Sequence, residues 1–181
     1  MKLNRKELEE RILQLEKEKE RKRVVAFIDF ENINKTATEQ GKVIDYEKLI
    51  EMIRGYGEVI FADIYIPENY FSFIERTQVN LNLLGFRIIC CKKMTEGSNK
   101  TEDTVDINLI KDGMKILELF QNLTHFVIIG HDKHMIHLAT EAQNRGKELV
   151  IIGTEKISHL LKRVVERSKI QRLPVKNNGL G

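Results

Sequence analysis

The chain has 181 residues, and its 30 lysine and arginine residues against 27 aspartate and glutamate residues give a formal charge of +3. Because 41% of the residues are hydrophobic, a chain of this length can bury a core, which excludes global disorder and favours a single domain. No apolar run approaches the roughly 20 residues that span a bilayer, and no apolar signal segment opens the sequence, so we expect a cytoplasmic protein that does not enter a membrane.

The charge is distributed unevenly along the chain. Residues 1–23 hold nine basic and six acidic side chains, and residues 156–181 hold seven basic and one acidic. Residues 24–155 hold 14 basic and 20 acidic side chains, a net charge of −6. The sequence thus predicts an acidic body between two basic ends, and an acidic body repels polyanions except through bound cations.

Residues 1–23 are predicted to form a charged helix. Leu8, Ile12 and Leu15 are spaced by four and three, which is the seam of a short coiled coil or of a packed amphipathic helix. The seam covers only about two heptads, so a solvated helix and a helix that pairs with a second copy both stay open. We interpret the segment as an oligomerisation or RNA-contact arm.

From residue 24 onward, short runs of apolar, often β-branched residues alternate with helical patterns. The predicted strands are 24–30, 59–66, 86–91, 126–130 and 149–153, with a weaker one at 170–173. The predicted helices are 46–54, 68–84, 103–120, 134–145 and 157–167. This alternation predicts a single-domain three-layer α/β/α sandwich with a mainly parallel sheet over residues 24–173, followed by a flexible tail at 174–181.

The two cysteines, Cys90 and Cys91, are adjacent within the third predicted strand. A disulfide between neighbours would be strained, so we predict two reduced cysteines buried in the core. We expect neither to act as a metal ligand or a nucleophile.

Acidic side chains stand at the positions where a parallel sheet gathers its reactive groups. Asp29 ends the first strand, before a predicted turn that holds Asn32, and Asp132 follows the fourth strand, so both lie at carboxyl ends. Asp106 lies three residues after Asp103 near the start of a helix, on the same face. Asp29 and Asp132 also suit helix caps, and capping and metal ligation can coexist. We predict that Asp29, Asp106 and Asp132 converge on one point.

Converging carboxylates predict a metal site. Without basic partners they would repel each other and raise one another's pKa unless a cation lay between them. A few hard oxygen ligands favour Mg²⁺ or Mn²⁺, which retain waters and bridge to phosphate oxygens, so hydrolysis of a phosphodiester is the natural chemistry. The motifs GxGxxG, GxxxxGK[ST] and GxSxG are absent, which argues against a dinucleotide site, a P-loop and an acyl-transfer serine.

Longer blocks of the sequence carry a family resemblance. The blocks are FIDFENI (27–33), VIFADIY (59–65), VDINLIKDGM (105–114) and FVIIGHDKHMIHLATEAQNRGKELVIIG (126–153). The first two resemble the opening strands of the NYN domain, a branch of the PIN-like metal-dependent ribonucleases. The third resembles the VDxxLxxD helix of that family, and the fourth resembles FVLVSGDSDFxPLxxxLxxxGKxVxxxG without a gap.

The resemblance implies a PIN/Rossmann-like fold and a Mg²⁺- or Mn²⁺-dependent ribonuclease that hydrolyses RNA. It implies that Asp29, Asp106 and Asp132 bind the metal and that Asn32 belongs to the catalytic site. Asp112 falls on a further acidic position of the helix motif, but six residues along a helix turn it away from Asp106.

One segment departs from the family pattern. Where the family has SGDSDF, this chain has GHDKHM (130–135), so His134 replaces a second Asp and Lys133 replaces a small residue. Imidazole is a poorer ligand than carboxylate for Mg²⁺ but is acceptable to Mn²⁺. We interpret His134 as a catalytic-site residue that serves as ligand, phosphate contact or proton shuttle. A dedicated metal site of His131, His134 and His137 is an alternative that the spacing disfavours.

We interpret four lysines as RNA-binding residues: Lys92, Lys93, Lys100 and Lys133. The first three flank the loop before the helix of Asp106, and the fourth follows Asp132; a solvated charged loop is the alternative for the first three. Two other function classes stay open. One is a NYN-type RNA-binding or regulatory module whose catalysis is weakened by the residues at positions 133 and 134, and the other is a scaffold built on the N-terminal helix.

Overall fold

The structure, a computed structural model, describes residues 4–92, 94–96, 100–102, 104–166 and 169–178. The helices within these ranges are α1 (Arg5–Glu20), α2 (Phe30–Glu39), α3 (Tyr46–Arg54), α4 (Phe71–Leu84), α5 (Val105–Leu119), α6 (Ile136–Asn144) and α7 (His159–Val164). The strands are β1 (Arg23–Asp29), β2 (Lys42–Ile44), β3 (Glu58–Pro67), β4 (Arg87–Cys91), β5 (Met94–Glu96), β6 (Lys100–Glu102), β7 (His125–Ile129), β8 (Glu148–Gly153), β9 (Ile170–Arg172) and β10 (Val175–Asn177). Short 3₁₀ helices at Glu68–Tyr70 and Lys133–Met135 lead into α4 and α6.

The main sheet is parallel, and among the described residues its strand order is β4-β3-β1-β7-β8-β9. From β1 the chain moves outward to β3 and β4, then returns to the other side of β1 for β7 and moves outward again. The connections after β1 and β7 therefore diverge, and a crevice opens between the carboxyl ends of these two strands. This architecture confirms the predicted α/β fold and marks that crevice as the expected ligand site.

Helices cover both faces of the sheet because successive side chains of each strand point to opposite sides. On one face, Val24, Ala26 and Ile28 of β1 pack with α2, α3 and α4. On the other face, Val25 and Phe27 pack with α5, α6 and α7. The central strands are thus buried on both sides, which is why they read as continuous apolar runs in the sequence.

The segment after Asp29 is a helix, so the predicted turn at this position is wrong. Phe30, Ile33 and Ala37 of α2 are buried and follow helical spacing. Asn32 therefore lies in the first turn of α2. The polar residues between these positions are types that are common in turns, which led to the wrong prediction. The segment is helical because its apolar residues pack on the sheet.

One of the two cysteines is not in the core. Both thiols are reduced, but Cys90 is exposed and Cys91 is buried. β4 lies at the edge of the sheet and neighbouring side chains point to opposite faces, so the prediction that both are buried is wrong for Cys90.

The predicted tail begins later than expected. Val175–Asn177 form β10, which pairs antiparallel with β2, and the carbonyl oxygen of Pro174 accepts the backbone N–H of Asp45 at 3.0 Å. This backbone pairing corrects the boundary set at residue 174, since no local pattern reveals the partner strand. Residues 179–181 lie outside the described residues.

Helix α1 exposes part of its predicted apolar seam. Leu8 and Ile12 are about half exposed, at 50% and 48%, and the side chain of Leu15 lies outside the described part of the structure. Its role in oligomerisation or RNA contact stays a prediction. No described helix has the length and apolar character needed to span a bilayer.

Candidate metal centre

Asp29 ends β1 and caps α2. Its Oδ1 accepts the backbone N–H of Asn32 at 3.2 Å, and the residue is 6% exposed. The helix-cap role considered from the sequence is therefore present. The side chain also lines a cleft at the carboxyl edge of the sheet.

Asn32 links α2 to the segment that follows β7. Its side-chain oxygen Oδ1 accepts the backbone N–H of His131 at 3.0 Å. Because Asn32 N–H also donates to Asp29, the residue couples the ends of β1 and β7 across the crevice. This geometry makes Asn32 a positioning residue for Asp132, which follows His131 directly.

Two helices bring Asp106, Asp132 and His134 together. Asp106 lies in the first turn of α5, and α5 packs so closely on α6 that a Cβ at Gly113 would lie 2.7 Å from Leu138 Cδ2. Asp132 caps the 3₁₀ helix that precedes α6, where its Oδ1 accepts the backbone N–H of His134 at 3.0 Å. Close helix packing and a local cap thus fix the three side chains at one place.

We name Asp106, Asp132 and His134 the acid–histidine cluster. His134 Nδ1 lies 3.0 Å from Asp106 Oδ2 and 3.4 Å from Asp132 Oδ1. One ligand atom from each residue lies within 4.8 Å of the other two. Two interactions raise the pKa of His134 above its usual value. The larger is its hydrogen bond to Asp106, and the next is the charge of Asp132.

The donor set of the cluster fits a divalent cation. Adjacent ligands of an octahedral ion bound at about 2.1 Å lie about 3 Å apart. The separations of 3.0 and 3.4 Å between His134 Nδ1 and the two carboxylates match that spacing. Two carboxylates and an imidazole suit Mn²⁺ better than Mg²⁺, and a ligating imidazole must be neutral, so metal and proton compete for Nδ1. Among the described residues, Asp29 stands outside this group of three.

A cleft of about 380 Å³ lies beside the cluster. The structure places the predicted acids Asp29, Asp106 and Asp132 along this one cleft, at the crevice between β1 and β7. Lys35 and Lys156 also line it, and neither was predicted from the sequence as a site residue. The cleft therefore combines ligands for a cation with side chains that attract an anion.

The two cleft lysines lie on α2 and after β8. Lys156 Nζ contacts Glu39 Oε2 at 2.5 Å, and the hydrogen bond and charge of Lys156 lower the pKa of Glu39. Lys35 follows Asn32 by three residues on α2, and recognition of that helix would have predicted that they share a face. The sequence signal for Lys35 was thus hidden by the wrong turn prediction.

The four lysines predicted to bind RNA fall at different positions. Lys133 is exposed next to the cluster, at the start of the 3₁₀ helix. Lys92 is exposed after β4, and its carbonyl oxygen accepts the hydroxyl of Thr104, just before α5. Lys93 lies outside the described residues, and so does the side chain of Lys100. Lys133 thus lines a cavity together with Asp106 and His134, and the RNA-binding role of all four lysines stays a prediction.

The three neighbouring histidines do not form a site together. His131 lines the cleft, with its Nδ1 buried and lacking a hydrogen-bond partner in the described structure, and burial lowers its pKa. His137 lies beyond His134, at the start of α6. Among the described residues, no group of three ligating side chains contains His131 or His137.

Asp112 braces α5 instead of joining the cluster. The hydroxyl of Tyr65 donates to Asp112 Oδ2 at 3.0 Å, and burial raises the pKa of this tyrosine. Nearby, the Arg87 guanidinium donates to both oxygens of the buried Asp63 at 2.7 and 2.6 Å. The contact between Tyr65 and Asp112 ties α5 to β3 and so supports the helix that carries Asp106.

Comparison with known proteins gives a family for this site. No curated protein matches the chain at a significant level. The crystal structure of a protein of unknown function from Vibrio parahaemolyticus superimposes with a TM-score of 0.73 at 15% identity, covering 84% of this chain and 93% of that one. At this identity the similarity supports the fold alone. A family model, that of the NYN domain, matches residues 23–169. Since this match covers most of the chain, the protein belongs to the NYN domain family, a PIN-like family of nucleases.

Proposed function

We propose that the protein is a metal-dependent ribonuclease that hydrolyses RNA phosphodiester bonds with Mg²⁺ or Mn²⁺ as cofactor. The observation that carries the proposal is the acid–histidine cluster, with three ligand atoms within 4.8 Å of one another at the crevice between β1 and β7. Membership of a nuclease family supports it. The imidazole in the donor set favours Mn²⁺ over Mg²⁺.

The residues around the cluster take separate roles. Asp106, Asp132 and His134 would hold the cation, which when bound supplies Lewis-acid activation of water and neutralises charge on the phosphate. Asp29 adds negative charge to the same cleft. Asn32 holds the backbone before Asp132 in place through the N–H of His131, so it acts by positioning.

Lys35 and Lys156 are the phosphate contacts of this proposal. Both line the cleft, where the acidic side chains would otherwise repel RNA. Lys156 already contacts one anion, the Glu39 carboxylate, at 2.5 Å. A phosphate that enters the cleft replaces Glu39 as the partner of Lys156, which exchanges one charged hydrogen bond for another.

A second candidate is a catalytically weakened RNA-binding or regulatory module. The position of His134 favours it, because a protonated imidazole between Asp106 and Asp132 neutralises part of their charge without a metal. In this case RNA binds the cleft and is not cleaved.

Cleavage assays on single-stranded and structured RNA, with Mg²⁺ or Mn²⁺, test the proposal. We expect Asp106→Asn and Asp132→Asn to lower the cleavage rate about 100-fold or more, the scale of losing one group that stabilises developing charge. Glu148→Gln is the matched control, since it removes an exposed carboxylate at the start of β8, away from the cleft. Its rate should equal that of the wild type.

RNA binding, measured in parallel by fluorescence anisotropy, separates the two candidates. If the wild type binds RNA but cleaves none with either metal, the second candidate replaces the first. If both aspartate variants cleave at the wild-type rate, the cluster is not the reaction centre and the ribonuclease proposal for this site is wrong.

A further inference from the structure

An apolar groove adjoins the acid–histidine cluster. Its volume is about 500 Å³, within the range of about 300–1,000 Å³ typical of sites for small organic groups. Its aliphatic walls come from three helices: Ile107 and Ile110 of α5, Ile136 of α6 and Leu160 of α7. Ile107 is 56% exposed and Leu160 is 43% exposed, so a ligand that covered them would bury apolar surface.

The groove and the cleft meet at the reaction centre but differ in chemistry. Asp106 lines both, and His134 lines the groove. The cleft is lined mostly by charged and polar side chains, whereas the groove is aliphatic, with Lys133 and His137 among the residues around it. A ligand that spans both must therefore join an anionic part to an apolar part.

We propose that the groove binds the base of the RNA nucleotide next to the cleaved bond. The inference rests on the proposed function, since it takes a scissile phosphate at the cluster as its starting point. A base has flat apolar faces that can cover aliphatic side chains and remove them from water, and the phosphate joined to it can pair with Lys133. The groove then positions the strand, and the cleft receives the phosphate.

A protein partner suits the groove less well than a nucleotide does. A flat protein surface over Ile107 and Leu160 would also cover Asp106 and His134, which line the same groove. Desolvating these groups without a compensating ion is unfavourable. A nucleotide covers the aliphatic walls with its base and brings its own negative charge to Lys133.

Binding and cleavage of a set of RNA oligonucleotides test the inference, with one nucleotide at a time replaced by an abasic site. The full-length protein is used, and fluorescence anisotropy gives Kd with EDTA present. We expect an abasic site at one position, adjacent to the bond that is cleaved with Mn²⁺, to weaken binding about tenfold, the scale of leaving one aliphatic side chain uncovered. Abasic sites at distant positions should change Kd less than twofold.

Surface variants identify the groove as the cause. Ile107→Ser and Leu160→Ser alter exposed residues, so both variants should fold. In both variants, an abasic site next to the cleaved bond should no longer raise Kd more than an abasic site elsewhere does. Leu83→Ser is the matched control, because Leu83 is an 81% exposed apolar residue on α4, outside the groove, and this variant should keep the penalty.

The outcomes distinguish this inference from the proposed function. If the wild type cleaves RNA and every abasic position gives the same Kd, the base does not bind the groove, although the ribonuclease proposal stands. If no RNA is bound or cleaved, the proposed function fails and the inference fails with it. A change of oligomeric mass in Ile107→Ser with unaltered RNA binding would overturn the inference by assigning the groove to a contact between copies.

Discussion

Both edges of the parallel sheet place a histidine beside a carboxylate, but in opposite surroundings. At the amino edge, His125 is 4% exposed, and its Nε2 lies 3.6 Å from Glu148 Oε2. At the carboxyl edge, the His134 side chain is 54% exposed and lies between two carboxylates. Burial lowers the pKa of His125, whereas the hydrogen bond to Asp106 raises the pKa of His134.

The carboxylates at the two edges differ in how they are paired within the fold. At the amino edge, Glu148 has a cation of its own, since its Oε2 contacts Lys169 Nζ at 2.5 Å. At the carboxyl edge, Asp106 and Asp132 share one solvent-exposed imidazole. A bound cation would satisfy these two carboxylates better than one imidazole does. We infer that the amino edge contributes to stability and that the carboxyl edge is arranged for binding.

The largest difference between the edges is expected when metal is added. At a Mn²⁺ concentration 100 times Kd, binding stabilises the native state by about 2.7 kcal/mol, which raises Tm by several degrees. Asp106→Asn and Asp132→Asn should lose most of this shift because each removes a charged ligand, and Glu148→Gln should keep it. Differential scanning fluorimetry after EDTA treatment measures the shift, which should be smaller with Mg²⁺. A full Mn²⁺ shift in Asp106→Asn would mean that the metal binds elsewhere.

Acid should destabilise the amino edge through His125, and the half-buried His131 at the carboxyl edge should add a fall of the same sign. The unfolded state protonates His125 near pH 6.5, before the native state does, so stability is present above that pH and is lost below it by up to about 1.4 kcal/mol per pH unit. His125→Gln removes this titration and should flatten the fall in the free energy of unfolding between pH 7 and 5, measured with urea. The comparison variant His134→Gln should instead make the fall slightly steeper, because the raised pKa of the exposed His134 stabilises the native state as the pH decreases through this range. Parallel curves for wild type and His125→Gln would contradict the assignment.

The sheet and the acids at its edge were predictable because a strand buried on both faces is an uninterrupted apolar run in the sequence. The run 24–28 is apolar throughout, and the strand ends where Asp29 interrupts it, so the sequence marks both the strand and its reactive end. From the sequence, the role of His134 was limited to three alternatives: metal ligand, phosphate contact or proton shuttle. Its approach to Asp106 depends on the close packing at Gly113, which no local pattern encodes.

Contacts between distant segments account for what the sequence did not reveal. Lys156 enters the cleft because β8 lies next to β7 in the sheet, and its partner Glu39 lies 117 residues earlier. β10 is three residues long and is defined by pairing with β2, so it has no periodicity to detect. Such features follow from topology, and they become predictable only once the strand order is known.

The smallest effects on stability are expected from two lysine–glutamate pairs, one at each edge. Lys156–Glu39 and Lys169–Glu148 both have an Nζ–Oε2 distance of 2.5 Å and partly exposed side chains, so solvent screening leaves each with only a small contribution to stability. Lys156→Met and Lys169→Met should therefore lower the free energy of unfolding slightly and equally. RNA binding distinguishes them, because Lys156 lines the cleft. Lys156→Met should weaken binding and reduce the slope of log Kd against log salt by about 1, and Lys169→Met should change neither.

Glu39→Gln removes the anion that competes for Lys156, so it should bind RNA more tightly than the wild type at low salt. Equal affinities of Glu39→Gln, wild type and Lys156→Met would contradict the exchange of Glu39 for a phosphate.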